Sequence, residues 1–239
     1  MPPDAIDAVD WSSIPNPTSE PWDEPEGVAR ALRLLAGSTA ANETGDAASL
    51  LAGRGFVCGH AGMVFPAAYA AAPVLLDLVE NGRRPRIKEA ALGLLADALG
   101  CLPPAGHGRV DTPYGTGVPL CCAIARLVRG RRSVLLGHRK YGRRLVADAE
   151  LHWWMSVEEA EVHFDGTVTA LVALEGAPFK TPVDAEVYGP LAMGPASVVR
   201  IDALTVDASG AACVRLARAP SEILVGAALC PAECGLREH

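Results

Sequence analysis

Residues 58–79, CGHAGMVFPAAYAAAPVLLDLV, decide how the rest of the chain is read. Phe65, Ala68, Ala72, Leu75, Leu76 and Val79 recur at steps of three and four, the spacing of one helical face. Pro66 suits the first turn of such a helix, where its missing N–H has no intrahelical partner to lose. Pro73 lies further in, removes one hydrogen bond and predicts a kink. Asn81-Gly82 ends the segment. The many alanines predict close packing against neighbouring helices, so the stretch reads as the core helix of a helical body.

Its neighbours fit that reading. Arg83-Arg84-Pro85 leads into a second predicted helix, Arg86–Leu99, with Ile87, Ala91, Leu94, Leu95 and Ala98 inward. Upstream, Val28, Ala31, Leu32 and Leu35 predict a helix over Glu26–Ala36, ended by Gly37, and a shorter one is predicted around Asp46–Ala52. Downstream, Val118–Val128 and Arg131–Asp148 read as another helical pair, the second interrupted by Gly137 and Gly142.

Two antiparallel helices joined by a short turn form a helical repeat unit. With His60, Gly62, Ala68, Tyr69, Pro73, Leu75, Leu76, Ala91, Leu94 and Leu95, the region of residues 56–148 resembles bacterial HEAT-repeat proteins. The resemblance implies an α-solenoid that acts as a scaffold with a concave binding surface. The repeated His-Glu pairs of iron-dependent HEAT hydroxylases are missing.

After Trp153-Trp154 the period changes. Ala160–Phe164 and Thr167–Leu174 read as strands around Asp165-Gly166, a strong hairpin signal. Ser197–Val206 and Ala211–Ala217 flank a second turn at Asp207–Gly210, while residues 175–196, with four prolines, are expected to be loop. The expected fold class is therefore α+β: a short HEAT-like α-solenoid with a small β-rich C-terminal domain. Its parts are an acidic Pro-rich arm (residues 1–26), a HEAT-like helical domain (27–150) and a β-rich domain (151–239).

Charge follows the same divisions. The chain carries a net charge of -7, but residues 1–26 hold seven acids and no base. Residues 27–150 hold sixteen bases against nine acids, and residues 151–239 five against twelve. The prolines of the arm forbid a continuous helix, so it reads as an extended segment pinned by Trp11, Ile14 and Trp22. Seven cysteines, an odd number, argue against a disulfide framework. The N-terminus shows no secretory signal and no apolar run is long enough to span a membrane, so a cytoplasmic location is expected, without membrane association.

The most specific electrostatic feature is the acid-free stretch from Thr112 to Ala147, containing Arg126, Arg129, Arg131, Arg132, Arg139, Lys140, Arg143 and Arg144. Guanidinium forks suit carboxylates and phosphates. Acidic flanks, a pI near 5.4 and only 5% aromatic residues disfavour nucleic acid. The sequence thus points to a non-catalytic interaction protein that holds an acidic partner through a basic helical surface. Arg126, Arg129, Arg132, Arg139, Arg143 and Trp153 are the candidate binding residues.

The alternative is a small biosynthetic enzyme, or a protein that binds an anionic small molecule. Its pocket would lie where the Gly- and Pro-rich loop 106–117 meets the β-rich domain, with His107, Asp111 and Tyr114 as candidate proton-transfer groups. That loop carries no nucleotide fingerprint, and no standard catalytic signature occurs elsewhere. Cys121 and Cys122, adjacent on a helix, point in different directions and read as core residues. Cys230, Cys234 and His239 would supply three ligands where a tetrahedral zinc site takes four. No metal or other cofactor is expected.

Overall fold

The acidic arm is the first place where local chemistry overrides the sequence pattern. The computed structural model describes residues 2–18, 20–189, 197–207, 211–217 and 225–238. In it the arm opens with a short helix, α1 (Pro2–Asp7), and then makes 3-10 turns at Trp11–Ser13 and Pro21–Asp23. Prolines at the first positions of α1 cost no intrahelical bond, which is why a single turn and a half survives there. Trp11 folds the arm back on itself. It is buried, and its indole N–H donates to the Ile6 carbonyl at 2.8 Å. The side chain of Trp22 and the residues of the expected turn at 208–210 lie outside what the structure describes.

Helices follow in order: α2 (Pro25–Gly37), α3 (Ala41–Gly53), then a two-stranded ribbon of β1 (Val57–Cys58) and β2 (Met63–Val64), then α4 (Ala67–Asn81) and α5 (Pro85–Gly100). All six residues that set the α4 spacing are buried, and so are Ala67, Ala71, Val74 and Leu78. A helix apolar almost all round is a core helix, and α4 contacts α1, α2 and α5. The lead-in at His60 is a turn between β1 and β2, with Gly62 at φ 66, a conformation that favours glycine. His60 itself is exposed and lies 3.4 Å from the Cys58 thiol.

Helix α3 shows how the chain is punctuated. Ala40 at the cap has no side-chain oxygen to offer, so the work falls to Glu43, whose carboxylate accepts from the Thr39 N–H at 2.6 Å and the Ala40 N–H at 3.0 Å. Those bonds, the Thr39 backbone first, hold the Glu43 pKa below the usual carboxylate value. A depressed folded-state pKa contributes stability at pH values above the unfolded carboxylate's, and loses it as pH falls through the folded value. Glu43→Gln should therefore differ from the parent in the amide exchange of the α3 first turn at neutral pH. The difference should close below about pH 4. A difference that persists or grows in acid would contradict the assignment.

The chain continues through β3 (Arg109–Thr112), β4 (Gly115–Pro119), α6 (Leu120–Arg129), α7 (Arg132–Leu136) and α8 (Arg139–Glu150). The 106–117 loop, expected to be irregular, is in large part the β3–β4 hairpin, with a bulge between Val110 and Thr112. Then come β5 (Trp154–Val162), β6 (Val168–Glu175), β7 (Val183–Tyr188), β8 (Ser197–Val206), β9 (Ala212–Leu216), β10 (Ala228–Pro231) and α9 (Ala232–Gly235). The chain divides into two units. The first comprises residues 1–108, 127–148 and 237–239, the second residues 109–126 and 149–236.

The second unit corrects the expected architecture. Six strands close into an antiparallel barrel in the order β10–β5–β6–β9–β8–β7. The class remains α+β, but a closed barrel is not a small β-rich appendage to a HEAT-like solenoid. Alternation along the strands fills its interior: Val168, Ala170 and Val172 of β6 and Ala212, Val214 and Leu216 of β9 are buried with Met155, Val187, Ile201 and Leu229. Small side chains dominate because six strands enclose little space. The β5–β6 hairpin turns at Asp165-Gly166 as predicted, with Gly166 at φ 80 and the Thr167 N–H bonded to Asp165 Oδ1 at 2.9 Å. Two strands of the barrel, β7 and β10, fall where loop or no regular structure was expected.

Candidate functional site

The candidate residues are dispersed between the two units. His107 is half-buried in the first unit, while Asp111 and Tyr114 belong to the β3–β4 hairpin of the second. Asp111 is exposed and its carboxylate accepts the Gly117 N–H at 2.9 Å, a bond that shapes the hairpin. Tyr114 packs edge-on against Trp154, with ring centroids 5.4 Å apart, and lies under the Arg126 guanidinium at 4.0 Å. Arg126 in turn makes a two-pronged pair with Glu175, Nε to Oε2 at 3.1 Å and Nη2 to Oε1 at 2.7 Å. Two of the predicted residues, Tyr114 and Arg126, thus meet, but in a packed aromatic–cation stack. Trp153 is buried with the barrel core, its ring stacked on Phe179 at 4.2 Å.

The side chain that anchors the hairpin to the barrel is one the sequence did not single out. Arg109 of β3 donates from Nη2 to Glu186 Oε1 at 2.6 Å and from Nη1 to Glu186 Oε2 at 3.0 Å. Nη1 also reaches the Gly117 carbonyl at 3.0 Å, and the Tyr188 hydroxyl donates to Glu186 Oε2 at 2.7 Å. The Glu186 side chain is only 5% exposed and that of Arg109 32%, so the carboxylate is the desolvated partner, and both of its oxygens are engaged. The hydrogen bond to Glu186 raises the Arg109 pKa, and burial raises that of the Tyr188 hydroxyl. Gly235 leaves the room this requires, because a Cβ there would collide with both the Glu186 carboxylate and the Arg109 guanidinium.

The arginine-rich stretch forms an exposed face in the first unit. Arg131, Arg132, Arg139, Lys140, Arg143 and Arg144 are all exposed, with Tyr141 at 67% and Leu136 at 38% among them. Arg129 is half-buried. Part of the charge is met internally: Arg131 lies 3.5 Å from Glu80, and Arg144 lies 3.7 Å from Asp148 one turn along α8. Among the described residues no carboxylate lies within ion-pair distance of Arg139, Lys140 or Arg143. The corner that presents them is tight. Gly142 approaches the Leu135 carbonyl more closely than any side chain would allow, and Arg139 takes the left-handed backbone at φ 49.

A second constellation gathers residues far apart in sequence. Cys121 and Cys122 in the first turn of α6, His152 between α8 and β5, and Cys234 on α9 place one ligand atom each within 4.8 Å of one another. All four residues are buried, and all belong to the second unit. His152 Nδ1 lies 3.3 Å from Cys234 Sγ. Hydrogen bonds from Cys122 and then Cys234 hold the Cys121 thiol well below its ordinary pKa, whereas burial pushes Cys122 well above it. Cys121 and Cys122 are buried as the sequence reading expected, but their thiols lie within 4.8 Å of each other where it had them pointing in different directions. The His239 considered beside Cys230 and Cys234 lies outside the described residues.

The first unit also has a cleft of about 310 Å³ where α3 and α5 begin, lined by Thr39, Ala40, Ala41, Thr44, Arg84, Pro85 and Arg86. The backbone N–H groups of Thr39 and Ala40 beside it are already taken by Glu43. Among the described residues no helix is long and apolar enough to cross a membrane. Comparison with protein-family models, with curated proteins and with solved structures finds no match to this chain.

Proposed function

We propose that this chain is a non-catalytic interaction protein that holds an acidic protein partner on the α7–α8 face of its first unit. The observation that carries the reading is the exposed group of Arg139, Lys140 and Arg143, which meets no carboxylate among the described residues. Such a face attracts acidic surfaces over a Debye length of about 8 Å at physiological salt and sets association rate and partner choice. Tyr141 and Leu136 in its midst supply apolar contact, the combination of an aromatic and arginines that carries binding energy at many interfaces. The close approach of Gly142 to the Leu135 carbonyl and the left-handed backbone of Arg139 fix where the chain turns between α7 and α8 and so place the three cations beside one another.

The candidate proton-transfer groups favour this reading over an enzyme. Asp111 accepts a hydrogen bond that shapes the hairpin and Tyr114 is packed under Arg126, so both side chains have structural work to do. The test is capture from the native cell extract with the full chain and with the double substitution Arg139→Glu, Arg143→Glu, partners being identified by mass spectrometry. The parent should retain an acidic protein that the variant releases. If every partner stays bound to the variant, the basic face is not the docking surface.

A further inference from the structure

We propose that Cys121, Cys122, His152 and Cys234 form a structural zinc site that ties the ends of the second unit together. The donor set is the first argument. Three thiols and one imidazole are the ligands of closed, four-coordinate zinc sites, and none of the four is exposed to admit a substrate. Geometry is the second. At zinc–sulfur distances of about 2.3 Å, tetrahedral ligands lie roughly 3.8 Å apart. Ligand atoms already within 4.8 Å of one another need only a small contraction to close on an ion.

The alternatives fit the residues less well. A plain thiol cluster would bury four polar heteroatoms with only weak sulfur hydrogen bonds between them. A disulfide would join only two of the four residues, whereas the His152 Nδ1 faces Cys234 Sγ at 3.3 Å and all seven cysteines are free in the structure. Placement supplies a reason for a metal. Helix α9 is four residues long and its Gly235 carbonyl accepts from Arg109 Nη2 at 3.4 Å, a bond too long to fasten the segment alone. An ion held by α6, the α8–β5 junction and α9 would anchor it. Cys230, buried on β10, stands outside the four as a neighbour of the cluster. On binding, the three thiols release their protons to solvent and the imidazole coordinates neutral, so the loaded site carries one net negative charge.

The test is the metal content of the full chain, expressed without a metal-affinity tag in zinc-containing medium, alongside Cys234→Ser, His152→Ala, Cys230→Ser and, as a control, Cys101→Ser. The parent, Cys230→Ser and Cys101→Ser should hold about one zinc per chain, and the two ligand variants less than about a tenth of that. Should the ligand variants fail to fold, Co²⁺ exchanged into the parent decides. Visible bands of tetrahedral, thiolate-ligated cobalt support the site, and their absence overturns it. Full zinc in both ligand variants, a parent without stoichiometric zinc, another metal in its place, or a parent two hydrogens lighter from a disulfide among these cysteines would each overturn it as well.

Discussion

Glu186→Ala should lower the unfolding free energy of the barrel unit by about 3–5 kcal/mol, the usual cost of removing one partner of a buried ion pair. The loss exceeds the net worth of the pair because Arg109 would keep its charge in a half-buried setting. The Tyr188 hydroxyl would lose its shortest acceptor, leaving only the Gly117 carbonyl at 3.2 Å. Urea unfolding followed by tryptophan fluorescence would measure it, since Trp154 stacks on Tyr188 at 6.0 Å and reports this region. The companion change Arg109→Met with Glu186→Leu removes both charges at once and should recover most of the loss, because it leaves no unpaired ion behind. A single variant within about 0.5 kcal/mol of the parent would show that water reaches the pair and that the hairpin is held by other contacts.

Trp154→Ala should cost a similar amount, about 3–5 kcal/mol, for a different reason. Trp154 is among the largest fully buried side chains of the protein, and its removal opens a cavity in a region that cannot collapse easily. Tyr114 and Tyr188 contact its ring from two sides, and Arg126 sits 5.2 Å above it. The measurable consequence goes beyond a shift of midpoint. Loss of the ring removes half of the cation–π stack, so the protection of the β3–β4 hairpin against amide exchange should fall along with global stability. Trp154→Phe keeps an aromatic face and should recover more than half of the stability that alanine loses. If alanine and phenylalanine behaved alike, neither the aromatic face nor the volume that phenylalanine restores would count, and the cavity account would fail.

How far the sequence could be read depended on how locally each feature is encoded. The helix α4 was legible because one face repeats within fifteen residues, and every residue of that face is buried. The β5–β6 hairpin was legible because Asp165-Gly166 is a turn signal in two letters. The barrel was not, since closure depends on β7 and β10. Strand β7 lies within the proline-rich segment that read as loop, and β10 is four residues, Ala-Leu-Cys-Pro, with every position buried and hence no alternation to see. A bulge between Val157 and Glu159 breaks the period of β5 as well, so its first half did not register as a strand.

The site residues divide the same way. A run of arginines on one helical pair is a local signal, and the structure leaves most of it exposed. The partnership of Arg109 with Glu186 spans two elements far apart in the chain and carries no local mark. Nor does the cysteine cluster, whose ligands come from three separate segments. The one available cue was the pairing of Cys121-Cys122 with a second cysteine group near the C-terminus. Adjacent helical residues diverge too much to suggest a single cage unless the first turn of α6 is known to face it.

The most direct test of the interaction reading is the affinity of the purified chain for a labelled acidic polypeptide. Fluorescence anisotropy would follow the parent and the Arg139→Glu, Arg143→Glu variant at low salt and at about 0.15 M salt. The parent should bind the acidic probe in preference to duplex DNA of equal charge, and more weakly as salt rises. The variant should lose about tenfold or more in affinity. Equal binding by both proteins, or a preference for the DNA, would contradict the proposed role of the α7–α8 face.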